Sequence, residues 1–133
     1  PLIKHSDVTC VYNNYSFIPQ PGAPRFALAV FEKMARFIFF LRKRKKEFLN
    51  VMGFSFAFRT ADGLQVGGFN TTRPRWSDGW MGMLLAEKGR LYKVTSSKSL
   101  VWTIPRRLMI DGGIYKSLLL RVKKEIQVIK EYF

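Results

Sequence analysis

The chain has one cysteine, Cys10, and one histidine, His5, in 133 residues. A single cysteine excludes an intramolecular disulfide framework and any multi-cysteine metal site, and it fits a reducing compartment. With so few Cys and His, a structural zinc site lacks its ligands. A Ser-His-Asp triad would have to recruit His5, close to the first residue of the sequence given. Acidic residues are also scarce: 9 Asp plus Glu stand against 23 Lys plus Arg, a formal charge of +14. Long uncharged apolar runs are missing. The most apolar stretch, residues 26–41, is interrupted by Glu32, Lys33 and Arg36, so no transmembrane span is expected and no secretory signal is read at the start.

What is present is apolar and aromatic. Hydrophobic residues make up 47% and aromatics 15%, enough for one core and too much for a disordered basic tail. No internal repeat and no domain boundary are visible. The expected organisation is an extended Pro-containing arm over 1–23, with Pro19 and Pro21, followed by one domain over 24–133.

Pro24 sits where a helix can begin, and Ala27, Val30, Phe31, Met34, Ile38 and Leu41 recur at helical spacing. The spacing predicts a long helix running to about Asn50, with this stripe packed in the core. Residues 51–58 alternate with period two, placing Phe54, Phe56 and Phe58 on one strand face. Asp62-Gly63 reads as a hairpin turn leading into a second strand over 64–69. Residues 81–86 and 90–95 read as another hairpin around Glu87-Lys88-Gly89, and 100–104 as a short strand before Pro105, with 106–110 continuing it. Beyond Asp111-Gly112-Gly113, with Asp111 as N-cap, Tyr115, Leu118, Leu119, Val122, Ile126, Ile129 and Phe133 mark an amphipathic helix with a basic outer side. Val8 to Ile18 reads as an edge strand. The fold class expected is α+β: an antiparallel sheet flanked by the long helix in the first half and the amphipathic helix at the end.

Two basic features stand out. Arg42-Lys43-Arg44-Lys45-Lys46 would form a collar around the end of the first helix, where it either compensates the helix dipole or contacts phosphate. Arg73-Pro74-Arg75-Trp76 holds two arginines on a stiff segment. Trp76 and Trp80 there either cap the core or offer stacking faces to unpaired bases. Arg106 and Arg107 add a third cationic site. The basic residues spread along the chain, 10 in 1–72 and 13 in 73–133, which suits a protein met by RNA from several directions. No GxGxxG, P-loop or motif-bound carboxylate pair is present, so an enzyme is not expected. Neither is a cofactor or metal.

The leading expectation is a structural RNA-binding subunit of a ribonucleoprotein. A ribosomal protein, with the mitochondrion among its candidate compartments, is its most concrete form. It would neutralise rRNA phosphates and contact neighbouring proteins through the 1–23 arm. The alternatives are a viral matrix-type protein bridging an anionic membrane and a nucleocapsid, and a basic accessory subunit of a membrane complex lying against it through 37–41. The matrix alternative rests on a resemblance. Phe58-Arg59-Thr60, Trp76-Ser77-Asp78, Gly82-Met83, Tyr92-Lys93, Ile104-Pro105 and Gly113-Ile114-Tyr115-Lys116 resemble part of the rhabdovirus matrix protein over about half of the chain. The interval from Tyr92 to Pro105 is shorter than in that family and its proline-tyrosine motif is missing, so no functional residue is carried over. A basic face with exposed Phe or Trp would favour the membrane, and charge on several faces with an extended arm would favour RNA.

Overall fold

The computed structural model describes residues 1–72 and 76–132, without the side chains of Glu125 and of 128–132. The fold is mixed α/β. Among the described residues there are five α-helices, a three-stranded mixed sheet and a two-stranded sheet. In chain order the elements are β1 (Val8–Asn13), β2 (Tyr15–Phe17), α1 (Arg25–Lys43), β3 (Phe56–Phe58), α2 (Thr60–Gln65), α3 (Ser77–Lys88), β4 (Arg90–Val94), β5 (Val101–Thr103), α4 (Arg106–Ile110) and α5 (Ile114–Tyr132). Two compact units interleave along the sequence. The first is Pro1–Tyr15 with Arg36–Val101, the second Ser16–Ala35 with Trp102–Phe133.

The first unit is built on the order β3-β1-β4. β1 pairs antiparallel with β3 and parallel with β4, in register Tyr12 with Phe56 and with Lys93. Val8 to Asn13, expected at an edge and within an arm, is therefore the middle strand. Its apolar side chains explain this: Val8, Cys10 and Tyr12 are buried, and Cys10 and Tyr12 form a core with Val51, Met81, Leu85 and Leu91. Thr9 is buried as well, its hydroxyl donating to the Leu85 carbonyl at 2.8 Å.

The parallel pair corrects the expectation of an antiparallel sheet. That expectation rested on two hairpins, and neither exists. Asp62-Gly63 lies inside α2, where the Asp62 carboxylate accepts from Arg59 and pairs with Lys88 at 2.8 Å. Residues 81–86 belong to α3, not to a strand. With helices between β1 and β4, a parallel crossover is available. Residues 106–110 are likewise helical, not a strand extension. The strands read at 90–95 and 100–104 are present as β4 and β5, and that at 51–58 as the shorter β3. Phe56 and Phe58 stack at 5.6 Å, whereas Phe54 leaves them for Tyr15 at 5.3 Å.

The second unit is organised around a buried carboxylate on the first half of α1. Glu32 accepts from the Phe17 backbone N–H at 2.7 Å, the Ser16 hydroxyl at 2.9 Å and the Arg25 guanidinium at 2.6 Å. Leu28 and Phe31 point inward beside it, and Phe17 meets Phe31 edge-on at 5.9 Å. α4 turns into α5 through Gly112 and Gly113, both at positive φ, so that Gly113 N–H reaches back to the Leu108 carbonyl at 3.0 Å. Asp111, expected as an N-cap, instead accepts from the buried Ser117 hydroxyl at 2.9 Å.

Both helical stripes are corrected in part. On α1 the buried side chains are Leu28, Phe31, Glu32 and Phe39, while Val30, Met34 and Leu41 are exposed. On α5, Tyr115, Leu119 and Ile126 are exposed and Ser117 is buried. The Ile129 side chain and Phe133 lie outside the described residues.

Candidate polyanion-binding surface

α1 ends at Lys43, before the position expected for its terminus. The Lys45 and Lys46 N–H groups both return to the Arg42 carbonyl, at 3.1 and 2.7 Å, and a short 3-10 turn follows over Glu47–Asn50. Phe48 supplies the physical reason. It packs against the core of the first unit and lies edge-on to Trp76 at 6.4 Å, which a straight helix would not allow. The buried Asn50 amide donates to the Phe39 carbonyl at 2.9 Å and pins the reversal.

The basic run is thus not a collar on a helix. Arg42 and Lys43 occupy the last helical turn, where cations oppose the dipole, and Arg44, Lys45 and Lys46 lie in the turn beyond it. Arg42 donates to the Leu49 carbonyl at 3.2 Å and is half-buried. Lys43, Arg44 and Lys45 are exposed. The Arg44 guanidinium lies 5.7 Å from the Phe40 ring centroid.

Two further cations join the run. Arg36 and Lys43 are seven residues apart on α1, close to two full turns, and so share a face. The half-buried Lys93 of β4 belongs to the same electrostatic neighbourhood. Its ammonium is held below the usual lysine range, first by burial and then by the positive charges of Lys43 and Arg36, with Glu47 acting in the opposite sense. Glu47 is engaged on its own side, accepting from the Tyr12 hydroxyl at 2.7 Å. Neither Arg36 nor Lys93 was among the site residues expected from the sequence. The seven-residue interval from Arg36 to Lys43 was the available signal, whereas Lys93 needed the parallel register with Tyr12.

Apolar side chains sit beside these cations without cover. Phe37, Phe40 and Leu41 are 63%, 57% and 50% exposed. Phe39, between them, is buried against Tyr15 at 6.3 Å. Two outward rings and a leucine therefore lie between Arg36 on one side and Lys43 and Arg44 on the other, over the last two turns of α1 and the residue after it.

The other expected site residues are placed as follows. Trp76 precedes α3 with a left-handed φ of 68° and is 43% exposed. Its indole lies against Gly79, so it covers the helix start as well as presenting a face. Arg73 and Arg75 lie outside the described residues. Arg106 and Arg107 are exposed on α4, in the second unit, and so do not belong to the same unit as the Arg42–Lys46 run.

No helix among the described residues is long and apolar enough to cross a membrane. Among them, too, no group of three or more His, Cys, Asp or Glu is arranged to hold a metal ion. No protein-family model matches the chain, and comparison with curated proteins and with solved structures finds no match in either.

Proposed function

We propose that this is a non-catalytic structural protein of matrix type, which lies on an anionic membrane surface and holds a ribonucleoprotein core against it. The observation that carries this reading is the exposure of Phe37, Phe40 and Leu41 between Arg36 on one side and Lys43 and Arg44 on the other. Apolar side chains bury at the boundary between headgroups and acyl chains while neighbouring cations meet lipid phosphate and carboxylate. Phosphate binding alone would need the cations and leave three large apolar side chains in water. The incorporation of Val8–Asn13 in the sheet centre and of Tyr15–Phe17 in a second strand also shortens the extended arm on which a purely RNA-embedded protein would draw. Positive charge remains for a second polyanion, because both units are basic: 14 against 5 acidic side chains in the first, 9 against 4 in the second. The resemblance of Trp76-Ser77-Asp78, Gly82-Met83 and Tyr92-Lys93 to a rhabdovirus matrix protein agrees with this reading.

The second reading is a structural RNA-binding, ribosome-type subunit. The Arg42–Lys46 run and the half-exposed Trp76 ring favour it, since cations and a stacking face are what single-stranded RNA requires. Flotation separates the two. The full chain is mixed with phosphatidylcholine vesicles with or without phosphatidylserine, and in parallel with structured RNA. Flotation with the anionic vesicles supports the matrix reading. RNA binding with no flotation at low salt replaces it with the ribonucleoprotein reading.

A further inference from the structure

Three cations from two elements meet at one edge of the first unit's core. Leu91 of β4 packs in that core with Cys10 and Tyr12 and is in register with Cys10. Lys93, two residues on, therefore lies on the same sheet face, opposite Tyr12. The Tyr12 hydroxyl reaches Glu47, in the 3-10 turn just beyond the end of α1. β4 thus carries a half-buried lysine to the place where α1 ends. On α1, Arg36 and Lys43 are the i−3 and i+4 neighbours of the buried Phe39 and the i−4 and i+3 neighbours of the exposed Phe40. Both cations therefore stand at the border between the core and the exposed rings. The charges of Lys43 and Arg36 both act on the Lys93 ammonium.

The fold does not neutralise this group. Among the described residues, Arg36, Lys43 and Lys93 form no ion pair. Glu47 is the carboxylate whose charge acts on Lys93, and one of its oxygens already accepts from Tyr12 at 2.7 Å. Three cations against one carboxylate leave a charge of about +2. A phosphate monoester carries about −1.5 to −2 at pH 7 and has three terminal oxygens. A phosphate diester or a carboxylate carries a single charge and leaves this group half compensated. The Lys93 stem is held by burial, so its ammonium is a fixed donor beside the two α1 cations. The source of the monoester follows from Phe40, which lies between Arg36 and Lys43 on the helix face, 57% exposed. A free phosphate makes no use of that ring, whereas a lipid headgroup brings acyl chains to it.

We infer that Arg36, Lys43 and Lys93 together seat a phosphate monoester presented by the headgroup of an anionic lipid, with Phe40 entering the acyl boundary beside it. The lipid source rests on the membrane reading above; the monoester chemistry of the seat does not.

The test uses the full chain in two arms. In solution, amide and lysine side-chain chemical shifts are followed during titration with methyl phosphate and with dimethyl phosphate. Methyl phosphate should shift Lys93 and residues 36–43 saturably, with a dissociation constant of about 1–10 mM, and dimethyl phosphate should bind at least about fivefold more weakly. On vesicles, binding to phosphatidylcholine containing phosphatidylinositol 4-phosphate is compared with binding to phosphatidylcholine containing phosphatidylserine, at matched zeta potential. The monoester lipid should bind about tenfold more tightly. Lys93→Met keeps the buried stem and drops the charge, and Arg36→Gln changes an exposed side chain. Each should bring the ratio close to one, while Lys116→Met, on α5 in the second unit, leaves it unchanged. Equal shifts by the two phosphates, equal binding to the two vesicles, or a preference that survives both variants would overturn the inference. Binding of methyl phosphate at Lys93 without binding to either vesicle would support the seat and overturn its lipid source together with the membrane reading. Binding to phosphatidylserine vesicles without a monoester preference would overturn the inference and leave that reading standing.

Discussion

Arg25 and Glu32, seven residues apart on α1, form a two-pronged ion pair: Nη1 donates to Oε1 at 2.6 Å and Nη2 to Oε2 at 3.0 Å. The carboxylate is only 4% exposed while the guanidinium reaches solvent. Glu32 also takes the Phe17 N–H and the Ser16 hydroxyl, so it ties β2 to the helix. Removing it leaves those buried donors unsatisfied. Glu32→Ala is expected to cost about 1–3 kcal/mol of stability, read by urea denaturation. A loss below a few tenths of that range would mean that water replaces the carboxylate.

The same site sets a pH dependence. Burial pushes the Glu32 carboxyl upward, but Arg25, the Phe17 N–H and Ser16 together outweigh it and hold the group below its ordinary 4.5. Asp62 is held below its ordinary value by Lys88 and then Arg59. Both carboxyls are more acidic folded than unfolded. Their stabilisation is therefore complete above the ordinary carboxylate range and lost as pH falls through and below it. Thermal midpoints measured from pH 7 downward should drop below about pH 4.5, and the drop should be shallower in Glu32→Gln. Parallel curves for the two proteins would remove Glu32 from the acid transition.

Cys10 is fully buried on β1, and burial first, then Glu47, pushes its thiol up to about 12. The thiolate is the reactive form. The native chain at pH 8 should resist a maleimide and react fully once unfolded in guanidinium. Rapid labelling of the folded chain would show that the β3-β1-β4 core opens readily.

Gly89 links α3 to β4 at an extended φ of −170°, so space, not backbone freedom, selects it. A Cβ there would stand 2.7 Å from the Asp7 carbonyl oxygen. Gly89→Ala is expected to lose about 1–3 kcal/mol, because the Asp7 backbone leading into β1 must move to make room. An unchanged denaturation midpoint would contradict the close packing of β4 against β1.

Helix starts marked by punctuation were legible: α1 begins just after Pro24 and α5 just after Gly112-Gly113. α3 was hidden because Gly79 and Gly82 lower helix propensity and break its pattern. Packing outweighs that cost. Val51 approaches so closely that a Cβ at Gly82 would lie 2.9 Å from its Cγ2, and Trp76 covers Gly79. α2 was hidden because Asp62-Gly63 has the local chemistry of a turn, whereas Arg59 and Lys88 fix Asp62 in a helix. The basic run was legible as composition, but its path was not. Where it leaves the helix depends on Phe48 reaching the core, an interaction between distant residues that no local pattern reports.

If the Arg42–Lys46 run meets phosphate, its replacement by Gln should weaken binding to structured RNA. The slope of log affinity against log salt should flatten by roughly 0.7–0.9 for each phosphate that is no longer neutralised. An unchanged slope would remove the run from the binding surface.

The most direct measurement is flotation of the full chain with vesicles containing about 30% phosphatidylserine, compared with Phe37→Ser/Phe40→Ser. Both rings are largely exposed, so the double variant should keep its thermal midpoint. The expected result is that the native chain floats with anionic vesicles, not with phosphatidylcholine alone, and that the variant stays at the bottom of the gradient. A native chain that fails to float at low salt, or a variant that floats equally well, would contradict the assignment of this surface to a membrane.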